Sequence, residues 1–381
     1  MGTTTTTFAL NKPTVGGDDN AWGTDLNANA DKLDDLLDGT TAIKPNLDVG
    51  LWKVGGTAVT STAAELNILD GANATIATAL LANPQRYLDP ENRIINGAMD
   101  FWQRGTSFTA FVYGADRWIN GNSGGTVTMS RQSFANGDTL GSNNPTFFMR
   151  QTVSGQTLAS HYAQIAQHIE GVRSYAGQTI TVLGWARRSS GSGNVAVNWD
   201  QSFGTGGSPS TPTTGTAQTL SLTGSWAPFA FTFSIPSITG KTLGSSGNDF
   251  LRVVFWTSAG SDYNVSTGSL GLQTIGVDLW GIHIKLGTHT TAATDLYKAP
   301  ELGPEFDRCL RYYEITSYRM QQSPNVYATG YWKVQKRATP ALGISGTGAI
   351  SVASADPRGA FVLTTFATAT YDATVTGDAE L

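Results

Sequence analysis

The stretch LRVVFWT, residues 251–257, decides the fold class. Successive side chains of a strand point to opposite faces, so Leu251, Val253 and Phe255 share one face and Arg252, Val254 and Trp256 the other. The same two-residue period returns in ITVLGWA at Ile180 to Ala186, and again at Val195 to Asp200, Ala227 to Ile235 and Ile275 to Leu286. Clusters of Ser, Gly, Asn and Pro separate these runs, and no long helical pattern lies between them. A mainly β protein is therefore expected, with a jelly-roll-like antiparallel β-sandwich over residues 92–300 rather than a parallel α/β fold. Residues 204–223, rich in Gly, Ser, Thr and Pro, read as a long surface loop. No regular repeat runs through this region, which counts against a right-handed β-helix.

Composition agrees and excludes several functions. Of 381 residues only 14% are charged while 44 are glycine, which suits short strands and many turns. A net charge of −5 offers no basic field for nucleic acid or an anionic membrane, so neither is an expected partner. Cys309 is the one cysteine, which rules out intramolecular disulfides and cysteine-rich zinc sites and suits folding in a reducing cytoplasm. The opening MGTTTTTFALNKP has neither the basic nor the apolar region of a signal peptide, and no apolar run is long enough to insert in a membrane.

Residues 1–91 differ from the rest: they are poor in aromatics and read as an extended, partly helical attachment stalk. Leu26, Ala30, Leu33 and Leu37 follow a 4-3-4 spacing that makes one narrow apolar seam, with Asp31, Lys32, Asp34 and Asp35 left to solvent. A lone helix has nothing on which to bury such a seam, and the flanks offer few apolar residues, so a homotrimer around a threefold axis is expected. A second helix signal starts at Thr62-Ala63-Ala64-Glu65, a capping box, and stops at Asp70-Gly71. At the other end, residues 301–381 read as a helix followed by a smaller C-terminal β unit. The helix is expected from Pro304 to Glu314, with Phe306, Cys309, Leu310 and Tyr313 as its apolar face. Alternation then resumes at Val326 to Val334, Ala341 to Ile344 and Ala360 to Thr365.

Several strings carry a resemblance. They are PTVGGDDNAWGTDLNANADKLD at Pro13 to Asp34, STAAELNILDG at Ser61 to Gly71, NRIINGAMDFWQRGTSF at Asn92 to Phe108 and ADRW at Ala115 to Trp118. LWGIHIKLGTHTTA at Leu279 to Ala292, FDRCLRYYE at Phe306 to Glu314, KRATPAL at Lys336 to Leu342 and the terminal DAEL follow. In this order they resemble phage and prophage tail-fibre (receptor-binding) proteins of the carbohydrate-binding, tail-collar type. The resemblance implies a virion location and trimeric assembly, with Trp22, Gly23, Leu26 and Asn27 as an attachment core docking on another virion tail or baseplate protein. It further implies host adhesion through a cell-surface polysaccharide. At His283 the chain departs from the Gln usual in that family, which puts in doubt any role carried over to that side chain.

A sugar site needs a flat aromatic face for the pyranose ring and polar groups for its hydroxyls. Alternation sets Trp256 with Arg252, and Trp185 with Arg187, on faces opposite the apolar sets of their strands. These four, with Tyr263 and Trp118 on neighbouring segments, are the expected glycan-binding residues. Trp199 falls with Val195 and Val197, and Trp280 with Ile282 and Ile284, so both are expected in the core.

Catalysis finds no motif. Asp200, Asp249, Asp262 and Asp278 give many carboxylate pairs without a signature, and GxSxG and GxxxxGK[ST] are both missing. The histidines His161, His168, His283 and His289 lack zinc spacing, so no cofactor is expected; calcium alone needs no readable signature in Asp- and Asn-rich loops. The expected function is binding without catalysis. Two alternatives share the pattern: a tailspike-like polysaccharide hydrolase, and a structural collar, baseplate or head-fibre component.

Overall fold

The structure is a computed structural model that describes residues 3–4, 10–12, 14, 20, 22–37, 53–54, 57–58 and 91–381, without 321–325, 347–349 and 365–370. The chain divides into two compact units, Met1–Ala82 and Asn83–Leu381.

In the first unit the expected helix forms as α1, Trp22–Leu37. A two-stranded ribbon, Thr3–Thr4 with Asn11–Lys12, accompanies it. The side chain of Asn29 binds that ribbon like a third strand, accepting from the Asn11 N–H at 2.7 Å and donating to the Asn11 carbonyl at 3.0 Å. The polar side of the helix thus has a partner, while its seam has none among the described residues: Leu26 is 69% and Leu33 49% exposed, and Ala30 is exposed as well. Trp22, Gly23 and Asn27 are also exposed. The second helix signal, 62–71, lies outside the described residues.

The second unit begins with the sandwich. Its strands are β1 Ser107–Phe108, β2 Val112–Tyr113, β3 Trp118–Ser123, β4 Thr126–Ser133, β5 Phe147–Ser154, β6 Tyr162–Glu170 and β7 Thr179–Gly191. After these come β8 Asn194–Ser202, β9 Thr213–Thr214, β10 Gln218–Ser221, β11 Ala227–Ser234, β12 Phe250–Ala259 and β13 Ile275–Leu286. The front sheet has the order β9-β8-β12-β6-β3-β2, with β10 also paired to β8; the back sheet has the order β11-β7-β13-β5-β4-β1. From β6 onward the long strands alternate between the sheets, and every named pairing is antiparallel, as expected of a jelly-roll-like sandwich. Leu251, Val253 and Phe255 enter the core between the sheets with Val195, Val197, Ile180 and Val182. Val254 and Trp256 lie on the opposite, outer face, as the period requires.

Two departures have local causes. The stretch 204–223 is not all loop, because β9 and β10 lie in it and extend the front sheet; Thr and Gln side chains tolerate an edge position despite the glycines around them. In β13 the register slips where Leu183 pairs with His283 but Trp185 with Trp280, and Gly281 takes φ +66° there. This bulge reverses the phase of the strand. Trp280 therefore leaves the face of Ile282 and Ile284, expected to be shared, and is buried instead in a second cluster outside the back sheet.

The final region begins with α2, Leu302–Leu310. It stops short of the expected Glu314, since Tyr313 and Glu314 already belong to the strand β14, Tyr313–Met320. Cys309 and Leu310 are buried as the apolar face predicts, but Tyr312 is buried with Cys309 beside Ile95 where Tyr313 was expected to take part. Strands β15 Val326–Tyr331, β16 Ala341–Gly346, β17 Ile350–Asp356, β18 Gly359–Thr364 and β19 Tyr371–Asp378 complete the chain. They form two three-stranded sheets, β14-β19-β16 and β15-β18-β17. Arg104 and Arg117 of the sandwich pair with Glu380, and Arg311 pairs with Glu170, so the C-terminal β unit is bound to the sandwich by ion pairs.

Candidate functional site

The six residues expected at a sugar site fall in three separate places. Arg252, Trp256 and Tyr263 occupy the outer face of the front sheet, where Trp256 stands level with Gln164 and Ala196, and Arg252 with His168 and Asp200. Alternation put Trp256 on this face correctly, but the face is not wet. The turn Ser261–Tyr263 and the short helix Asn264–Thr267 fold over it, held by an Asn198 Nδ2 to Ser266 carbonyl bond of 2.9 Å. Tyr263 and Tyr162 pack on the indole at ring separations of 5.4 and 5.8 Å, and Trp256 is left 5% exposed. Arg252 donates to Asp200 at 2.8 and 2.6 Å.

Trp185 and Arg187 lie across the molecule, on the outer face of the back sheet. Trp185 is 3% exposed within a cluster of Trp280, Tyr297, Phe148 and Leu140, with Phe134 and Trp226 at its margin. Arg187 and Arg150 grip the buried Asp278 from two sides, at 2.7 and 2.6 Å. Trp118 is fully buried in the core, with its indole N–H on the Asn96 carbonyl at 3.0 Å. None of the three tryptophans therefore offers the open stacking face expected of it. The physical reason is the same for Trp185 and Trp256: connecting loops bring their own aromatic residues and bury the large indole area they meet.

A tryptophan edge meets a groove elsewhere, although Trp199 as a whole is only 5% exposed. At the open side of the sandwich, β9 and β10 of the front sheet face β11 of the back sheet across a groove of about 540 Å³. Its lining includes Trp199, Thr213, Thr216, Gln218, Phe233 and Ser234. Trp199 points inward from β8 and packs with the core, as expected, yet its indole N–H makes no hydrogen bond among the described residues and its edge lines the groove. Gly215 makes this possible, because a Cβ there would run into the indole nitrogen. Gln218 bridges the sheets by donating to the Thr232 carbonyl at 2.8 Å, and its carboxamide oxygen has no partner among the described residues. Thr213, Thr216 and Ser234 add hydroxyls, and no charged side chain is among the described residues that line the groove. Sequence reasoning missed this group because it read Trp199 as plain core and residues 213–218 as loop; the polar Thr and Gln run beside a Trp-bearing strand was the available signal.

Burial pushes the Tyr297 hydroxyl and the Cys309 thiol well up, and two part-buried groups are strongly shifted in the acid range. Burial, then the charges of Arg252 and Arg117, push His168 down to about 3, while burial and then Glu305 push Asp100 up to about 6. Among the described residues no group of three or more His, Cys, Asp or Glu gathers as a metal site.

No protein-family model matches the chain, and no curated protein matches it. Solved structures with a similar course include the enzymatically active domain of bacteriophage CBA120 tailspike protein 4, at TM-score 0.30 and 11% identity, covering 51% of this chain and 21% of that one. A xylan-binding domain from Paenibacillus barcinonensis aligns at TM-score 0.29 and 11% identity, over 52% of this chain and 96% of its own. The family 11 carbohydrate-binding module from Clostridium thermocellum aligns at TM-score 0.28 and 12% identity, over 47% and 94%. This chain thus spans about a fifth of the tailspike domain.

Proposed function

We propose that this chain is a non-catalytic, glycan-binding subunit of a virion appendage of tail-fibre type, and that the groove over Trp199 takes a neutral sugar of the host surface. The observation that carries the reading is the unshared indole N–H of Trp199 in a groove otherwise lined by hydroxyls and a carboxamide. A sugar hydroxyl both donates and accepts, so it pairs with such groups in either sense, and the edges of Trp199 and Phe233 give its C–H groups an apolar bed. A charged ligand would find no counter-ion there.

The exposed seam of Leu26, Ala30 and Leu33 supports assembly with two further copies of the chain. Three copies raise the effective concentration of a weak site, so millimolar affinity suffices for adhesion. What supports binding over hydrolysis is the commitment of three of the four candidate carboxylates. Asp200 is held by Arg252, Asp278 by Arg150 and Arg187, and Asp249 by the Val172 N–H at 2.8 Å. The attachment core at Trp22, Gly23, Leu26 and Asn27 would dock on another virion protein.

An array of bacterial capsular and lipopolysaccharide glycans, read with the full chain and its Trp199→Phe variant, tests the proposal. Phe keeps most of the packing and removes the N–H. The expected result is retention of neutral glycans by the full chain and roughly tenfold weaker retention by the variant, at nearly unchanged melting temperature. No retained glycan, equal retention by both, or release of reducing ends from the retained glycan would overturn the proposal.

A further inference from the structure

Where α2 meets the sandwich, Arg93, Arg308 and Arg311 line an open notch of about 430 Å³ with Tyr312, Glu170, Ile95 and Ile169. Its composition is opposite to that of the groove: three guanidinium groups stand around the edges of Ile95 and Ile169, which are 8% and 3% exposed, and one carboxylate is present. That carboxylate is already occupied, because Glu170 takes both nitrogens of a fork from Arg311, at 3.1 and 2.8 Å, and the Tyr312 hydroxyl at 2.8 Å. Arg308 donates from one terminal nitrogen to Glu305 at 2.9 Å and from the other to the Asn92 carbonyl at 3.4 Å. Arg93 is exposed and its guanidinium makes no ion pair among the described residues, although its backbone is fixed by the Tyr175 hydroxyl at 3.0 Å. The notch therefore has positive charge in excess, carried by Arg93, whose guanidinium has no partner among the described residues while its backbone is fixed.

We propose that this notch is a second binding site, selective for an anionic sugar: a carboxylate or phosphate substituent bridges Arg93 and Arg308, and the ring rests on Ile95 and Ile169. A guanidinium matches two oxygens of either anion at once, and charge-assisted bonds of this kind are stronger than neutral ones. The edges of Ile95 and Ile169 select an anion carried on a sugar over the bare ion. The site is independent of the groove over Trp199.

The full chain, labelled with 15N on arginine and 13C on isoleucine methyls, is titrated with D-glucuronate, D-glucose 6-phosphate, D-glucose and inorganic phosphate. Either acidic sugar, or both, is expected to shift the Arg93 side-chain signal and the Ile95 and Ile169 methyls with millimolar affinity, and the arm that responds identifies the anion as carboxylate or phosphate. Arg93→Ala should weaken that response about tenfold, while Trp199→Phe leaves it intact. Arg93 is exposed, so the variant should melt with the parent. The proposal fails if neither acidic sugar shifts these signals, if glucose or inorganic phosphate shifts them as strongly, or if Arg93→Ala binds as the parent does.

Discussion

The indole N–H of Trp256 donates to the Asn198 carboxamide oxygen at 3.1 Å, beneath the rings of Tyr263 and Tyr162. A tryptophan held in this way is a packing residue with a satisfied polar edge. Trp256→Ala should therefore destabilise the protein by about 3–5 kcal/mol, and Trp256→Phe by about 1–3 kcal/mol, through the oxygen left unpaired. Denaturant unfolding measures both. A Trp256→Ala variant that melts with the parent would show the cover over the indole to be wrong.

Gly281 takes φ +66°, and a Cβ on it would stand 2.8 Å from the Trp185 ring. Gly281→Ala should cost about 1–3 kcal/mol for the backbone alone, with the steric conflict in addition. Gly303→Ala is the control, since that position is helical with open space around it, and Ala should be neutral or gain up to about 1 kcal/mol. Equal melting temperatures for the two variants would contradict the bulge.

Asp278 is wholly buried between Arg150 and Arg187. Asp278→Asn keeps the shape and removes the charge, leaving two guanidinium groups facing each other. A loss of about 3 kcal/mol is expected, at the low end of the range for broken buried pairs because both arginines remain partly solvated. Thermal melts in low and high salt provide the check, and the loss should persist in high salt if burial is the cause.

The two shifted groups act on stability with opposite signs. His168, pushed down to about 3, stays neutral in the fold while an unfolded histidine takes a proton below pH 6.5, so stability falls as pH drops through that window, by about 1.4 kcal/mol per unit. His168→Gln should flatten this slope. Asp100, pushed up to about 6, keeps its proton in the fold, so it favours folding at low pH and loses that contribution as pH rises from 3.8 to about 6. Asp100→Asn should then stabilise the protein at pH 7, by up to about 3 kcal/mol, and not at pH 3. Urea midpoints from pH 3 to 8 test both, and the same slope in parent and His168→Gln would refute the assignment.

The open seam of α1 predicts a trimer in light scattering at micromolar concentration. Leu26→Asp with Leu33→Asp should shift the mass to that of one chain, because a carboxylate in a buried seam must be desolvated. A parent protein already monomeric would end this proposal.

The period of LRVVFWT correctly divided Leu251, Val253 and Phe255 from Arg252, Val254 and Trp256, and the helix at Trp22–Leu37 and the strand Ile275–Leu286 were legible from their own residues. These are local properties: which way a side chain points is set by its neighbours along the chain. The bulge at Gly281 marks the limit, since one extra residue inverts a phase that counting cannot detect. Strand β17 and the short β10 escaped for a related reason, as an edge strand owes its existence to its partner more than to its own composition.

The candidate site was less legible than the fold. Sequence fixed that Trp256 and Trp185 lie outside the two inner faces of the sandwich and that Trp199 lies inside it, because alternation is dictated by backbone geometry. Tertiary structure alone decided that the first two are covered and that the third, itself 5% exposed, meets a groove with an N–H that has no partner among the described residues. Solvent access depends on loops distant in sequence, such as the turn carrying Tyr263 or the Gly215 segment laid against Trp199, and no local pattern encodes where they come to rest.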